Sequence, residues 1–345
     1  MRLSSSTSCF LTLLGALACS SPTPPPASPQ KASPSPGAAQ EGSGPAPSEA
    51  PKQGCACQLK LRKQPETAAS SPAPVKSELP RPPFDFERRS ACIAPVCRLD
   101  AWLPDEAFVE TTREGVPSPG AVWLETLADQ STLVLPPHAE LEAVALVLEG
   151  QVAYGEGERS KAAGAPVLPA WSALRASHAG FSLTARSGKA SVLVAVLSRR
   201  GTLGEAIERG RRKDAPKPEK TTLEVADLSS SPKLEWSRGA TVARVAFPAS
   251  PAPSLSLLQV SGQSELPETA HSAEWEYIAI VRGSGDLVLG NARYPATPGA
   301  IFHVPRGTVH GWKGRGDDLA AVTIFSPGGP EQRYVEAAAK EAPHP

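Results

Sequence analysis

The chain has 345 residues, enough for two domains and extra segments. Its 35 Lys and Arg balance 35 Asp and Glu, which argues against nucleic acid as a main partner. After the first twenty residues no window has the apolar length of a transmembrane helix.

Residues 1–18 read as a signal peptide. Arg2 supplies a positive start, and residues 10–18 form an apolar core too short to span a bilayer. The segment ends Gly15-Ala16-Leu17-Ala18-Cys19-Ser20. This ending resembles a bacterial lipoprotein signal, which is cut before a Cys that is then lipidated. Ala16 stands where that family prefers Leu, Val or Ile. The resemblance implies lipidation at Cys19, export, and a lipid anchor in the bacterial cell envelope. Ser20, rather than Asp, after the Cys points to the outer membrane or the periplasmic face. Ordinary secretion with cleavage after Ala18 is the alternative. Residues 19–53 are Pro, Ala, Ser and Gly with scattered charge, and bury too little apolar surface to fold. They read as a disordered, extended tether.

Residues 54–99 form a Cys-containing segment with a Pro-rich linker over 64–83. Cys55, Cys57, Cys92 and Cys97 are an even set in a chain expected to be exported, which suggests two disulfides. Pairing of Cys55 with Cys57 would close a very small, strained ring, so bridges across the gap to Cys92 and Cys97 are favoured; Cys92 with Cys97 stays open. A four-thiolate zinc site is the alternative, although such sites more often space both Cys pairs by two to four residues.

From residue 100 the composition becomes globular. Short apolar runs recur at 121–127, 131–135, 143–148, 151–154, 165–168 and 191–197. They recur again at 240–247, 254–260, 277–281, 286–289, 300–304 and 319–325. Evenly spaced short strands between Gly, Pro and Ser predict an all-β sandwich or barrel. Residues 201–220 read as a linker, helical over 204–212 and then charged. A short surface helix docked by Tyr334 and Val335 is expected near 330–342.

The chemistry gathers at 269–314. Glu276 opens a strand whose Ile278 and Ile280 share its face, and a carboxylate there is costly unless a cation answers it. A turn at Ser272 and Ala273 would bring His271 beside it. His310 follows a second strand, with Gly307 and Gly311 letting the chain turn. Two imidazoles and a carboxylate suit Fe, Mn, Zn, Ni, Cu or Co. The metal-free alternative is a buried Glu276–His310 pair with His271 at the rim. Trp312 can share the His310 side and form an apolar wall for a ligand, whereas Trp275 and Tyr277 alternate away from Glu276 and pack outside or between barrels. His303 reads as packing.

The spacing resembles the two motifs of the cupin superfamily. Thr269, His271, Glu276 and Gly283 fall at the places of the first motif, and Gly299, Pro305, Gly307 and His310 at those of the second. Thr269 replaces the leading His, and Gly314 the final Asn. The resemblance implies one divalent metal held by His271, Glu276 and His310, with coordination positions left open beside Thr269.

The chain also repeats itself. His138 and His271 are 133 residues apart, as are Gly150 and Gly283. This resembles a bicupin: two tandem cupin barrels of the double-stranded β-helix or jelly-roll type, a degenerate one at 100–200 and a second at 221–345. With one residue dropped, Gly164 and Pro169 lie over Gly299 and Pro305. At that register Ala143 replaces Glu276, Leu174 replaces His310 and Trp171 replaces Gly307, so the first barrel is expected to be metal-free. The second would bind or transform a small molecule, in the manner of cupin dioxygenases, decarboxylases or isomerases, and a homo-oligomer is compatible with it. The alternative is a metal-free scaffold serving as a ligand-binding or structural module of the envelope.

Overall fold

The computed structural model of the chain describes residues 74–75, 78–81, 91–92, 96–98, 118–248 and 251–341. All of them belong to one compact unit, Glu66–Pro345. The expected signal peptide, Cys19, the tether, Cys55 and Cys57 lie outside the described residues. Of Cys92 and Cys97 only the strand backbone is described.

The first half is one nine-stranded sheet folded on itself. Its strands are β1 (Ala91–Cys92), β2 (Val96–Arg98), β3 (Gly120–Leu127), β4 (Thr132–Leu135), β5 (Leu141–Gly155), β6 (Val167–Pro169), β7 (Ser172–Ala176), β8 (Phe181–Ser198) and β9 (Leu223–Asp227). The long β5 and β8 pair along most of their length and run through both walls of the barrel. Helix α1 (Leu203–Arg211) follows β8, started by a capping box between Thr202 and Glu205.

The second half has a six-stranded and a four-stranded sheet. The first comprises β10 (Leu234–Trp236), β11 (Thr241–Ala246), β12 (Ser254–Val260), β14 (Trp275–Arg282), β17 (Ile301–Val304) and β19 (Leu319–Ser326). The second comprises β13 (Glu265–Thr269), β15 (Gly285–Leu289), β16 (Ala292–Ala296) and β18 (His310–Gly314). Helix α2 (Gln332–Glu341) ends the described chain, with Tyr334 buried and Val335 exposed, so Tyr334 alone of the expected pair docks it.

The two halves share one plan. The order β3-β8-β5-β7 in the first matches β12-β19-β14-β17 in the second. Even a ladder irregularity recurs, between Val147 and Glu149 and between Ile280 and Arg282. This is the all-β tandem of two barrels expected from the sequence.

Why the halves stay together follows from alternation. β12 and β19 are buried at every position, because one face lines the second barrel and the other meets the first. β19 accordingly reads as a nearly continuous apolar run, while β12 also buries Ser254, Ser256 and Gln259. Val144, Leu146, Leu193 and Leu197 form one apolar cluster with Leu255, Leu257, Val322 and Ile324. Each fully buried side chain of this kind stabilises by about 1.5–3 kcal/mol. A hydrogen bond between the Ser118 and Tyr277 hydroxyls, at 3.0 Å, crosses the same junction. It contributes about 0.5–1.5 kcal/mol net, so it tunes the fit while the apolar area supplies the strength.

Two expected boundaries shift. The second barrel was expected from residue 221, but β9 pairs with β7 and completes the first sheet. Part of the Pro-rich linker is also docked. The Val75 amide donates to Gly239, Trp171 Nε1 donates to the Pro80 carbonyl, and Gln259 Nε2 donates to that of Glu78. The Glu78 and Pro80 carbonyls thus accept from one side chain of each barrel.

Candidate metal centre

Glu276 is the second residue of β14. It pairs across the ladders with Val304 and Phe325, which places it on the interior face. His310 opens β18 and pairs with Thr269 at the end of β13. His271 lies in the turn between β13 and β14, where its carbonyl accepts from the Gly307 amide at 2.6 Å. Gly307 has φ +71°, a conformation that favours a residue without Cβ, so this glycine lets the second motif fold back onto the first. Residues far apart in the chain thereby converge.

His310 Nε2 lies 2.8 Å and His271 Nε2 3.4 Å from the same Glu276 oxygen. The three ligand atoms all fall within 4.8 Å of one another. Among the described residues this is the one His/Cys/Asp/Glu group so arranged. His310 Nδ1 lies 3.0 Å from the Thr308 carbonyl. When the ring is neutral, donation there leaves the Nε2 lone pair facing the group.

The electrostatics are those of a coupled buried group. Burial opposes the charge of Glu276, but the charge of His310, contacts from both histidines and the more distant charge of Arg333 overcome it, leaving the carboxyl well below its usual range. Burial likewise opposes protonation of His310, and Glu276 overcomes it, so the imidazole sits above its usual range. Two imidazole nitrogens converging on one buried carboxylate oxygen form a donor set that suits a divalent ion.

Thr269, at the place of the missing family His, has its hydroxyl 3.4 Å from His310 Nε2. Trp312 does share the interior side but is packed into the core, 4% exposed. A side chain at Gly285 would collide with its ring. Trp275 and Tyr277 face the other way, as alternation requires. His303 stacks against both, with ring centroids 5.1 and 4.9 Å away. Neither His303 ring nitrogen has a hydrogen-bond partner, and burial lowers its pKa to about 4.

Among the described residues of the first barrel no such group is found. Ala143 occupies the place of Glu276, as expected. The position of His310 belongs to Phe181 rather than Leu174. Strands β18 and β19 sit on the ladder as β8 does 129 residues earlier, whereas Leu174 lies on β7, the counterpart of β17. Trp171 correspondingly matches Gly299, not Gly307. Its amide donates to Val147 as that of Gly299 donates to Ile280, and both residues have positive φ. His138 accepts from the Glu140 amide and packs against Gly210 of α1.

One residue of the site had no sequence signal. Arg333, on α2, reaches into the group from 62 positions beyond His271. Its Nη1 lies 2.8 Å from His271 Nε2 and 3.3 Å from the Thr269 hydroxyl, while Nη2 donates to Tyr334.

Jelly-roll barrels with a His/Glu/His group on the interior face define the class. Residues 256–326 match the family Cupin_2, the cupin domain, and the second barrel is a cupin domain. No curated protein matches the chain by sequence. Solved structures similar to it include an oxalate decarboxylase at 14% identity and TM-score 0.45, over 61% of this chain and 70% of that one. A Lactobacillus farciminis oxalate decarboxylase in complex with formate is 12% identical at TM-score 0.43, over 60% and 76%. A Bacillus subtilis oxalate decarboxylase studied for its Mn(II) centres is 15% identical at TM-score 0.41, over 61% and 66%. Likenesses this distant say nothing about the substrate of this chain.

Proposed function

We propose that the protein is an exported, lipid-anchored bicupin that holds one divalent metal ion between His271, Glu276 and His310 and binds or transforms a small molecule there. The observation that carries this reading is the convergence of the three ligand atoms, within 4.8 Å of one another, around a buried carboxylate. Three protein ligands leave coordination positions for a small molecule, and Thr269 leaves open the position that a fourth imidazole would take. When bound, the ion would supply Lewis acidity, or redox chemistry if it is Fe, Mn, Cu or Ni rather than Zn. Around it, Glu276 provides charge, Thr308 orients the His310 ring, and the Gly307 turn holds His271 in place. The first barrel serves as a metal-free structural partner. Export and anchoring rest on the expected N-terminal signal and on lipidation of Cys19, which would hold the protein at the cell envelope. Assembly into a homo-oligomer is compatible with this reading.

Elemental analysis of the full chain, purified without a His tag, tests the site. Near-stoichiometric Fe, Mn, Zn, Ni, Cu or Co should be present and should be lost in His310→Ala. Metal in neither protein, even after reconstitution, overturns the reading. A Cys19→Ala variant should leave the membrane fraction, and one that stays there would overturn the anchor.

A second reading is favoured by a specific contact. The Arg333 guanidinium already engages His271, and its charge acts on Glu276; an internal cation in place of a metal would make the barrel a metal-free binding or structural module.

A further inference from the structure

We propose that Arg333 is an anion-binding residue, and that the second barrel takes up its metal together with a small carboxylate or tetrahedral oxyanion that replaces His271 as the partner of the guanidinium. The inference rests on the metal reading of the group above.

It begins with one atom claimed twice. His271 Nε2 faces Glu276 at 3.4 Å and also lies 2.8 Å from Arg333 Nη1. An imidazole nitrogen has a single in-plane lone pair, so it cannot accept from the guanidinium and ligate a metal together. Metal binding therefore displaces Arg333 from His271.

The displaced guanidinium has little room to leave. Tyr334, the next residue, is buried and stacks on Trp236 with centroids 5.4 Å apart. Glu331, two residues earlier, is held by the Ser254 hydroxyl and the Gly329 amide. These contacts pin the start of α2 on both sides of Arg333. The guanidinium itself lies over the rings of Phe325 and Tyr334, at 5.5 and 5.0 Å. Neither nearby carboxylate is free to receive it, because Glu331 is engaged and Glu276 is committed to the metal.

Charge completes the argument. With neutral imidazoles, Glu276 and Arg333 cancel. A divalent ion leaves an enclosed group two charges positive, and removing the partner of a buried charge is costly. An oxyanion resolves both problems. One oxygen takes an open coordination position, and another accepts from the guanidinium, whose fork suits such groups. Thr269 matters here because a fourth imidazole would fill a coordination position, whereas its hydroxyl takes a hydrogen bond from Arg333 at 3.3 Å. The first barrel has no counterpart. Helix α2 begins 129 residues after α1, the offset that relates β19 to β8, which puts Gly204 at the place of Arg333.

The test is calorimetric titration of metal-stripped full chain with MnCl2, in chloride buffer alone and with added acetate or sulfate. Wild type should bind Mn(II) at least about tenfold more tightly with one of the oxyanions, since coupling between two ligands is reciprocal and commonly of this size. Arg333→Met keeps an unbranched side chain over Phe325 and Tyr334. It should bind Mn(II) in chloride more tightly than wild type and be indifferent to either anion. Arg333→Lys keeps the charge without the fork and should retain a weakened anion effect. Whichever anion acts identifies the class. Wild-type binding that ignores both anions overturns the proposal while the metal site stands, as does anion dependence that persists in Arg333→Met. Binding of Mn(II) by no variant under any condition, with other divalent ions also failing, overturns the metal reading and this inference with it.

Discussion

In the first barrel Ala143 and Phe181 stand where the second has Glu276 and His310, and all four side chains are buried. The helices that follow the barrels differ in the same sense. Helix α1 adds Leu203, Ala206 and Ile207 to an apolar interior, whereas α2 sends Arg333 toward His271. One chain path thus accommodates either a packed interior or a charged one. The difference teaches that the scaffold is held by sheet pairing and the shared apolar cluster rather than by the polar group. A buried ion pair is weak evidence for stability, because desolvation offsets much of its attraction. That the second barrel carries the costly group, where the first shows that apolar filling is available, supports the metal-binding reading proposed above.

The largest test of this contrast moves the first barrel's residues into the second. Glu276→Ala alone should destabilise the metal-free chain by about 3–5 kcal/mol in urea unfolding, because His310 and Arg333 then lose their charge partner. Adding His310→Phe should recover part of that loss, whereas equal or greater destabilisation of the double variant would show that the second interior cannot pack as the first does. The difference between wild type and Glu276→Ala should also depend on pH. The lowered Glu276 contributes fully above the ordinary carboxylate range and loses its contribution as pH falls through its depressed pKa. The raised His310 contributes fully below about 6.5 and loses its contribution as pH rises through its elevated pKa. The difference is therefore greatest between those limits.

A medium effect sharpens the contrast between two histidines. The negative charge of Glu276 raises the pKa of His310, while burial lowers that of His303, which stacks against Trp275 and Tyr277. Its pKa of about 4 lies below the unfolded value, so protons favour the unfolded chain, and stability should fall by about 1–3 kcal/mol as pH drops from 6.5 to 4. Thermal unfolding across that range should show a shallower slope in His303→Phe. An unchanged slope would mean that other groups carry the acid sensitivity. The smallest effect is at the junction between the barrels. Tyr277→Phe removes the hydrogen bond with Ser118 and should cost about 0.5–1.5 kcal/mol without changing metal content, as unfolding and elemental analysis would read.

Much of this arrangement was legible in two short windows of sequence. The alternation at 276–280 put Glu276 inside and Tyr277 outside, and the fixed spacings around Gly283, Gly299 and Gly307 marked the turns that bring His271 and His310 to it. Such features are local: a strand alternates every second residue, and a glycine at positive φ acts on its own turn. The folded chain settled what depends on distant pairing. It exchanged Leu174 for Phe181 at the His310 position, because ladder register rather than motif spacing aligns the barrels. It gave β9 to the first sheet, docked residues 74–75 and 78–81 against both barrels, and brought Arg333 to His271. None of these contacts has a short-range period, so no window of sequence could display them. They arise from the packing of surfaces that become neighbours only when the barrels close.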